Sequence, residues 1–206
     1  MTDTEIIDED SDSQQRGRKK LLGIFLAFFG PLALAMFLFA NLDLWNPETT
    51  GNHGELMQPV RPLSELNLQT AGEDKITLDE VRGRWTLVFI GQGECDLLCQ
   101  TDLFKVRQAR ASLGRDLVRV QYLYVAMDDA AWNAARKMQT EHPKMMLGKV
   151  APSKIHAQAA AFDVHPEGNV YLLDPNGNLV LRYDDTATTK GIIKDLKRLL
   201  RVSKIG

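Results

Sequence analysis

Cys95 and Cys99 are the two cysteines of the chain and stand four residues apart. Ahead of them runs Trp85-Thr86-Leu87-Val88-Phe89-Ile90, an apolar stretch of the kind buried central strands carry. From Asp96 to Leu113, Leu103, Val106 and Leu113 fall on one helical stripe, and Gly114 suits a helix end. The pair therefore sits where a strand hands over to a helix. On a helix, positions four apart share a face, so both sulfurs are expected to point the same way from the first turn. The unpaired amides and positive dipole end there favour a thiolate. A thiolate attacks disulfides, and it is also a soft ligand for a cation such as copper(I), to which a histidine could add a third bond. The rival reading is a structural disulfide, which suits an oxidising compartment. Such a bond would close a very short loop and gain little entropy, and two cysteines staggered on a helix are not ideal for it.

The elements around the pair alternate. Leu66–Gln69 and Lys75–Leu78 read as a hairpin across Ala71-Gly72-Glu73-Asp74. Thr77 with Asp79-Glu80 suits a helix start and Gly83 its stop. Val118–Ala126 is a second central strand. Asp128-Asp129 opens a helix to about Thr140, broken by His142-Pro143. Lys144–Ser153 reads as irregular and Lys154–Phe162 as a short helix. Asn169–Asp174 and Leu179–Tyr183 form a hairpin around Pro175-Asn176-Gly177-Asn178. Ile192, Ile193, Leu196, Leu199 and Leu200 make the stripe of a last amphipathic helix. The expected fold class is α/β: a thioredoxin-like three-layer domain, a mixed sheet with flanking helices.

A separate element precedes this domain. Leu21 to Ala40 is an uncharged apolar run long enough to cross a bilayer, with Pro31 inside it. Arg16, Arg18, Lys19 and Lys20 flank its start, and Asp43, Trp45 and Glu48 its end. The positive-inside rule puts the N-terminus in the cytoplasm, with Trp45 at the interface. A cleaved signal is the alternative, against which stand the length of the run, the acidic tail and the poor triplet Leu38-Phe39-Ala40. The expected organisation is a disordered cytoplasmic tail over 1–20, a transmembrane helix over 21–42, a linker over 43–62 and the exported domain over 63–206. A net charge of −2 gives no reason to expect nucleic acid.

The basic-then-apolar N-terminus, RGRWTLVFIGQGECDLLC at Arg82–Cys99 and VHPEGNVYLLDPNGNLVLRY at Val164–Tyr183 together resemble the Sco/SenC family of membrane-anchored copper chaperones. QPVRPLSELNL, RGRWTLVFIG and the segment around RQAR are similar, more narrowly, to anchored thioredoxin-like proteins encoded with bacterial cytochrome c oxidase assembly genes. The resemblance covers about Leu63 to Leu200. It implies a bacterial inner-membrane protein facing the periplasm. It also implies copper held by Cys95, Cys99 and His165, and an oxidase subunit or another assembly factor as partner. A thiol–disulfide oxidoreductase, with Cys95 as the attacking thiol, and a docking scaffold without catalysis are the alternatives. Two positions depart from the family pattern. Gln100 stands where a proline usually follows the second cysteine, and His165 lies one residue farther from Tyr171, with Pro166 next to it. Pro166 reads as a trans turn residue.

The other candidates read as structural. His53 is expected in the exposed linker, His142 at a helix end and His156 at a surface or core position of an Ala-rich helix. Met145 and Met146 are better suited to filling the core than to binding copper through their thioethers.

Overall fold

The computed structural model describes residues 5–40, 51–72, 74–164, 170–203 and 205. The chain divides into two units, Met1–Thr49 and Thr50–Gly206.

The first unit is one helix, α1 (Glu5–Ala40), with Pro31 inside it. Arg18–Ala40 has the length and hydropathy of a membrane span, and its apolar side chains are exposed as a lipid-facing helix requires. The helix starts well before the apolar run, across much of the stretch expected to be disordered. Once an apolar helix is nucleated, adding turns at its end costs little. Asp43, Trp45 and Glu48 lie outside the described residues.

The second unit is built on an eight-stranded sheet. In chain order its elements are β1 (Glu55–Pro62), β2 (Asn67–Gln69), β3 (Lys75–Thr77), α2 (Leu78–Val81), β4 (Trp85–Gly91), α3 (Leu97–Ala111), β5 (Val120–Ala126), α4 (Asp129–Met138), β6 (Met146–Val150), α5 (Ile155–Phe162), β7 (Val170–Leu173), β8 (Asn178–Tyr183) and α6 (Thr189–Val202). The strand order is β1-β8-β7-β4-β5-β6-β2-β3. β4, β5 and β6 are parallel, while β7 and β8 add antiparallel on the other side of β4.

The alternation of β4 and β5 makes the layers. Leu87 and Phe89 face one core with Tyr122 and Tyr124, under Leu103 and Val106 of α3, Ala131 of α4 and Ile192, Leu196 and Leu200 of α6. Val88, Ile90, Leu123 and Val125 face a second core under Val81 and Phe162. Each fully buried aliphatic side chain of this kind contributes roughly 1.5–3 kcal/mol. The mixed sheet with helices on both faces is the expected thioredoxin-like arrangement.

Two strands depart from the sequence reading. Glu55–Pro62, expected as linker, is β1, paired to β8 with a register shift between Leu56 and Arg61. Its prolines are tolerated because an edge strand need not donate every amide. Lys144–Ser153, expected as irregular, contains β6. Gly148 disguises that strand: a Cβ there would come within 2.6 Å of Leu68 Cβ on β2, so the glycine is what lets β2 lie alongside.

Candidate functional site

β4 ends at Gly91, and the chain runs through Gln92–Asp96 into α3. Gly93 takes φ +65°, a backbone glycine adopts without strain, and donates its N–H to Asp128 Oδ2 at 2.8 Å. The other oxygen of Asp128 caps α4 through Ala131 N at 2.8 Å. One carboxylate thus fixes the cysteine loop to the neighbouring helix. Met127 N–H to Gly91 O at 2.9 Å closes the same corner. Beneath it the ring of Tyr124 fills the space a side chain at Gly91 would need. Burial, and secondarily the charge of Asp128, push the Tyr124 phenol well above its ordinary range, so it stays protonated.

Asp96 is the N-cap of α3 and accepts the N–H of Cys99 at 2.9 Å. Gln100 donates twice, its backbone N–H to Asp96 O at 3.0 Å and Nε2 to Cys95 O at 3.1 Å. A proline there could make neither bond, so the departure from the family pattern has a structural use.

Cys95 and Cys99 form a disulfide with their Cα atoms 5.2 Å apart. The expectation of two sulfurs staggered on one helix is corrected here. Cys95 precedes the cap residue, only Cys99 lies within α3, and the Cα separation falls inside the range a disulfide spans. Both cysteines are half-buried and pack against the core under α3, open to solvent on one side.

His165 and Pro166 lie outside the described residues. Val170, the first described residue after them, pairs with Phe89, two residues before the end of β4. Among the described residues there is no group of three or more His, Cys, Asp or Glu side chains arranged to hold a metal. His53 and His156 are exposed on other elements. His142 is buried with its ring edge-on to Tyr122, and Met145 is a core residue. Met146 pairs with Leu123 at the start of β6, three residues short of the site end of the sheet. None of these side chains is shown beside the sulfurs.

The sequence reading missed the second oxygen of Asp128, the reach of Gln100 and the place of Tyr124. Asp128 was legible as a helix opener, but its bond to Gly93 spans 35 residues and leaves no local signal.

Residues 85–203 match the family model described as transmembrane-like, thioredoxin-like, C-terminal domain. The chain belongs to this family. The match takes in the central strands, the cysteine pair and α6 of the thioredoxin-like domain. No curated protein matches the sequence. Among solved structures, apo Sco1 from Thermus thermophilus is 21% identical with a TM-score of 0.61, covering 72% of this chain and 96% of that one. Copper-bound ScoI from Bradyrhizobium japonicum is 20% identical, with a TM-score of 0.54 and coverage of 66% and 97%. BsSco, described as a member of the Sco family of cytochrome c oxidase assembly proteins with a disulfide switch, is 15% identical. Its TM-score is 0.57 and the coverage 72% and 99%. At these identities the likeness is one of fold.

Proposed function

We propose that this protein is a membrane-anchored assembly factor for a cytochrome c oxidase that exchanges thiols and disulfides through Cys95 and Cys99. The observation that carries this reading is the half-exposed Cys95–Cys99 disulfide at the junction of β4 and α3. A purely structural bond closing so short a loop would add little stability. Placed at the open end of a helix, with one side toward solvent, the pair can instead exchange with a partner.

In the reduced form the Cys95 thiolate attacks one sulfur of the partner disulfide. A mixed disulfide forms, and the partner's other sulfur leaves as a thiolate that takes a proton from solvent. Cys99, as thiolate, then attacks Cys95 Sγ, restoring the internal disulfide and releasing the second partner thiolate. The partner gains two electrons and this protein loses two. The oxidase context is supported by the fold shared with Sco proteins, one of them described as a cytochrome c oxidase assembly protein. The basic flank before Leu21 supports a cytoplasmic N-terminus and an exported domain, as on a bacterial inner membrane facing the periplasm.

A second reading is favoured by the copper-bound ScoI of the same fold. The reduced sulfurs would carry copper(I) as cargo, with His165 as third ligand. The disulfide form holds no thiolate, so copper handling requires prior reduction.

The full-length chain in detergent separates the readings. Equilibration with a thiol–disulfide buffer gives a reduction potential, and a Cys99→Ser variant should trap a mixed disulfide through Cys95. Titration of the reduced protein with copper(I) against a competing chelator should show tight one-to-one binding only if the second reading holds, weakened in His165→Ala. Absence of both trapping and copper binding rejects both readings and leaves a docking scaffold.

A further inference from the structure

The helix that carries Cys99 presents apolar side chains to solvent as well as to the core. Leu97, Leu98 and Phe104 are 77%, 64% and 49% exposed. Leu97 and Phe104 are seven residues apart, so they stand on one stripe with Thr101 between them, opposite the buried Leu103 and Val106. Leu97 and Leu98 lie between the two cysteines in sequence. Leu98 projects about 100° around the helix from Leu97, so the exposed apolar surface wraps the first turn and runs on to Phe104. On a domain whose cores are otherwise closed, this marks a contact surface.

The charge around the cysteine end of this stripe is lopsided. Glu94 and Asp96 bracket Cys95 and are exposed, as are Asp184 and Asp185 just beyond β8, whose end is level with that of β4 through Val170. Lys105 joins the two elements, donating to Asp102 Oδ1 and to Asp185 O at 3.0 Å each, so its charge is engaged within the rim. Arg107, at the far end of the stripe, stacks over Phe104 and donates to Glu141 O. Lys190 is exposed at the start of α6. Among the described residues named, exposed carboxylates outnumber exposed cations at this end of the sheet.

Resting on the thiol-exchange reading, we infer that the exposed side chains of Leu97, Leu98 and Phe104 dock a cysteine-bearing segment of a protein partner whose flanking residues are apolar and cationic. Leucine and phenylalanine would take the apolar residues, and Glu94, Asp96 and Asp185 the lysines or arginines. The same carboxylates disfavour an anionic lipid surface as the occupant, because headgroup charge of the same sign would repel them.

The test uses the full-length Cys99→Ser chain in detergent micelles and cysteine peptides activated as mixed disulfides with thionitrobenzoate. Cys95 thiolate attacks the peptide sulfur, the new disulfide forms and thionitrobenzoate leaves as the coloured anion. Each rate is divided by that of the same peptide with mercaptoethanol, which removes differences in peptide reactivity. A leucine- and lysine-flanked peptide should react about tenfold faster than a leucine- and glutamate-flanked one, an advantage that shrinks as salt is raised. Leu97→Ser with Leu98→Ser should slow the leucine- and lysine-flanked peptide to the rate of a serine- and lysine-flanked one, and Glu94→Gln with Asp185→Asn should erase the advantage of lysine. Each double variant is made in the Cys99→Ser chain and its peptide rates are divided by its own rate toward a small uncharged disulfide, which removes any change in Cys95 thiolate character.

Equal rates for the lysine and glutamate peptides, or indifference to the leucine variants, would overturn the proposal while leaving thiol exchange intact. A rate that falls in lipid nanodiscs and is restored by the leucine variants would also overturn it, because the bilayer would then be the occupant. No release with any peptide or with the small disulfide would instead reject the exchange reading beneath it.

Discussion

Asp128 holds Gly93 through one carboxylate oxygen at 2.8 Å and the first turn of α4 through the other, also at 2.8 Å. The loop that presents Cys95 is thereby attached to the end of β5 and to the helix after it. Its position does not rest on the disulfide alone. Asp128→Ala removes the α4 cap and the Gly93 bond together, and should destabilise the thioredoxin-like domain by about 1–2 kcal/mol. For a domain of this size that lowers Tm by roughly 2–4 °C per kcal/mol. Asp128→Asn keeps an acceptor and should fall between the two. The disulfide should also be reduced faster by dithiothreitol in Asp128→Ala, since the loop opens more often. A wild-type reduction rate in that variant would show that the loop is held elsewhere.

Asp195 makes a comparable join at the edge of the sheet. It lies on α6 with 1% of its surface exposed and accepts the N–H groups of His53, at 3.0 and 2.9 Å, and Gly54, at 2.9 Å. The carboxylate fixes the entry to β1 against the last helix. Asp195→Ala leaves two amides without their acceptor and should cost about 2–3 kcal/mol. Denaturant midpoints of the wild type and of the Ala and Asn variants would check this. The Asn variant should recover part of the loss, because one carbonyl oxygen remains.

His142 gives the domain a pH dependence of known sign. Burial, and then the positive charge of Arg107, lower its pKa below the ordinary value, and the charge of Glu141 only partly opposes this. The folded state therefore binds the proton less readily than the unfolded chain. The contribution of this group is fully present above the unfolded value of about 6.5 and is lost as pH falls from there through the lower folded value. Stability measured by urea unfolding should fall from pH 7 toward pH 5, and a His142→Phe variant should show a shallower fall. An equally steep fall in that variant would assign the dependence to other groups.

Much of this fold was legible because its signals are local. The apolar run of β4, the stripe of α6 and the turn between β7 and β8 each declare themselves within a few residues. β6 and β1 did not. Gly148 breaks the strand pattern to make room for Leu68, and Pro59 and Pro62 are compatible with a strand only at an edge. Both reasons are tertiary. At the site, the cysteine spacing located the chemistry, and the assumption that both cysteines ride one helix obscured the bond between them. A helix that begins at Leu97, after an Asp96 cap, leaves Cys95 free to turn back. Against a helix that begins at Cys95 this is two residues' difference in a boundary, the usual spread of helix ends.

Gln100 tests whether the cysteine turn is tuned by the residue that follows it. Its backbone N–H closes the first turn of α3 on Asp96 O, and its side chain returns to Cys95 O. Gln100→Ala loses only the side-chain bond, a cost of about 0.5–1.5 kcal/mol. Gln100→Pro also loses the backbone bond and crowds the Asp96 carbonyl, which for a helix interior costs about 3 kcal/mol. If Gln100 holds the turn, thermal midpoints should fall in the order wild type, Ala, Pro. Dithiothreitol reduction should quicken in the same order, because a Cys95 carbonyl without its donor lets the loop swing away from α3. A Pro variant as stable and as slowly reduced as wild type would mean that Asp96 and Asp128 alone shape the turn.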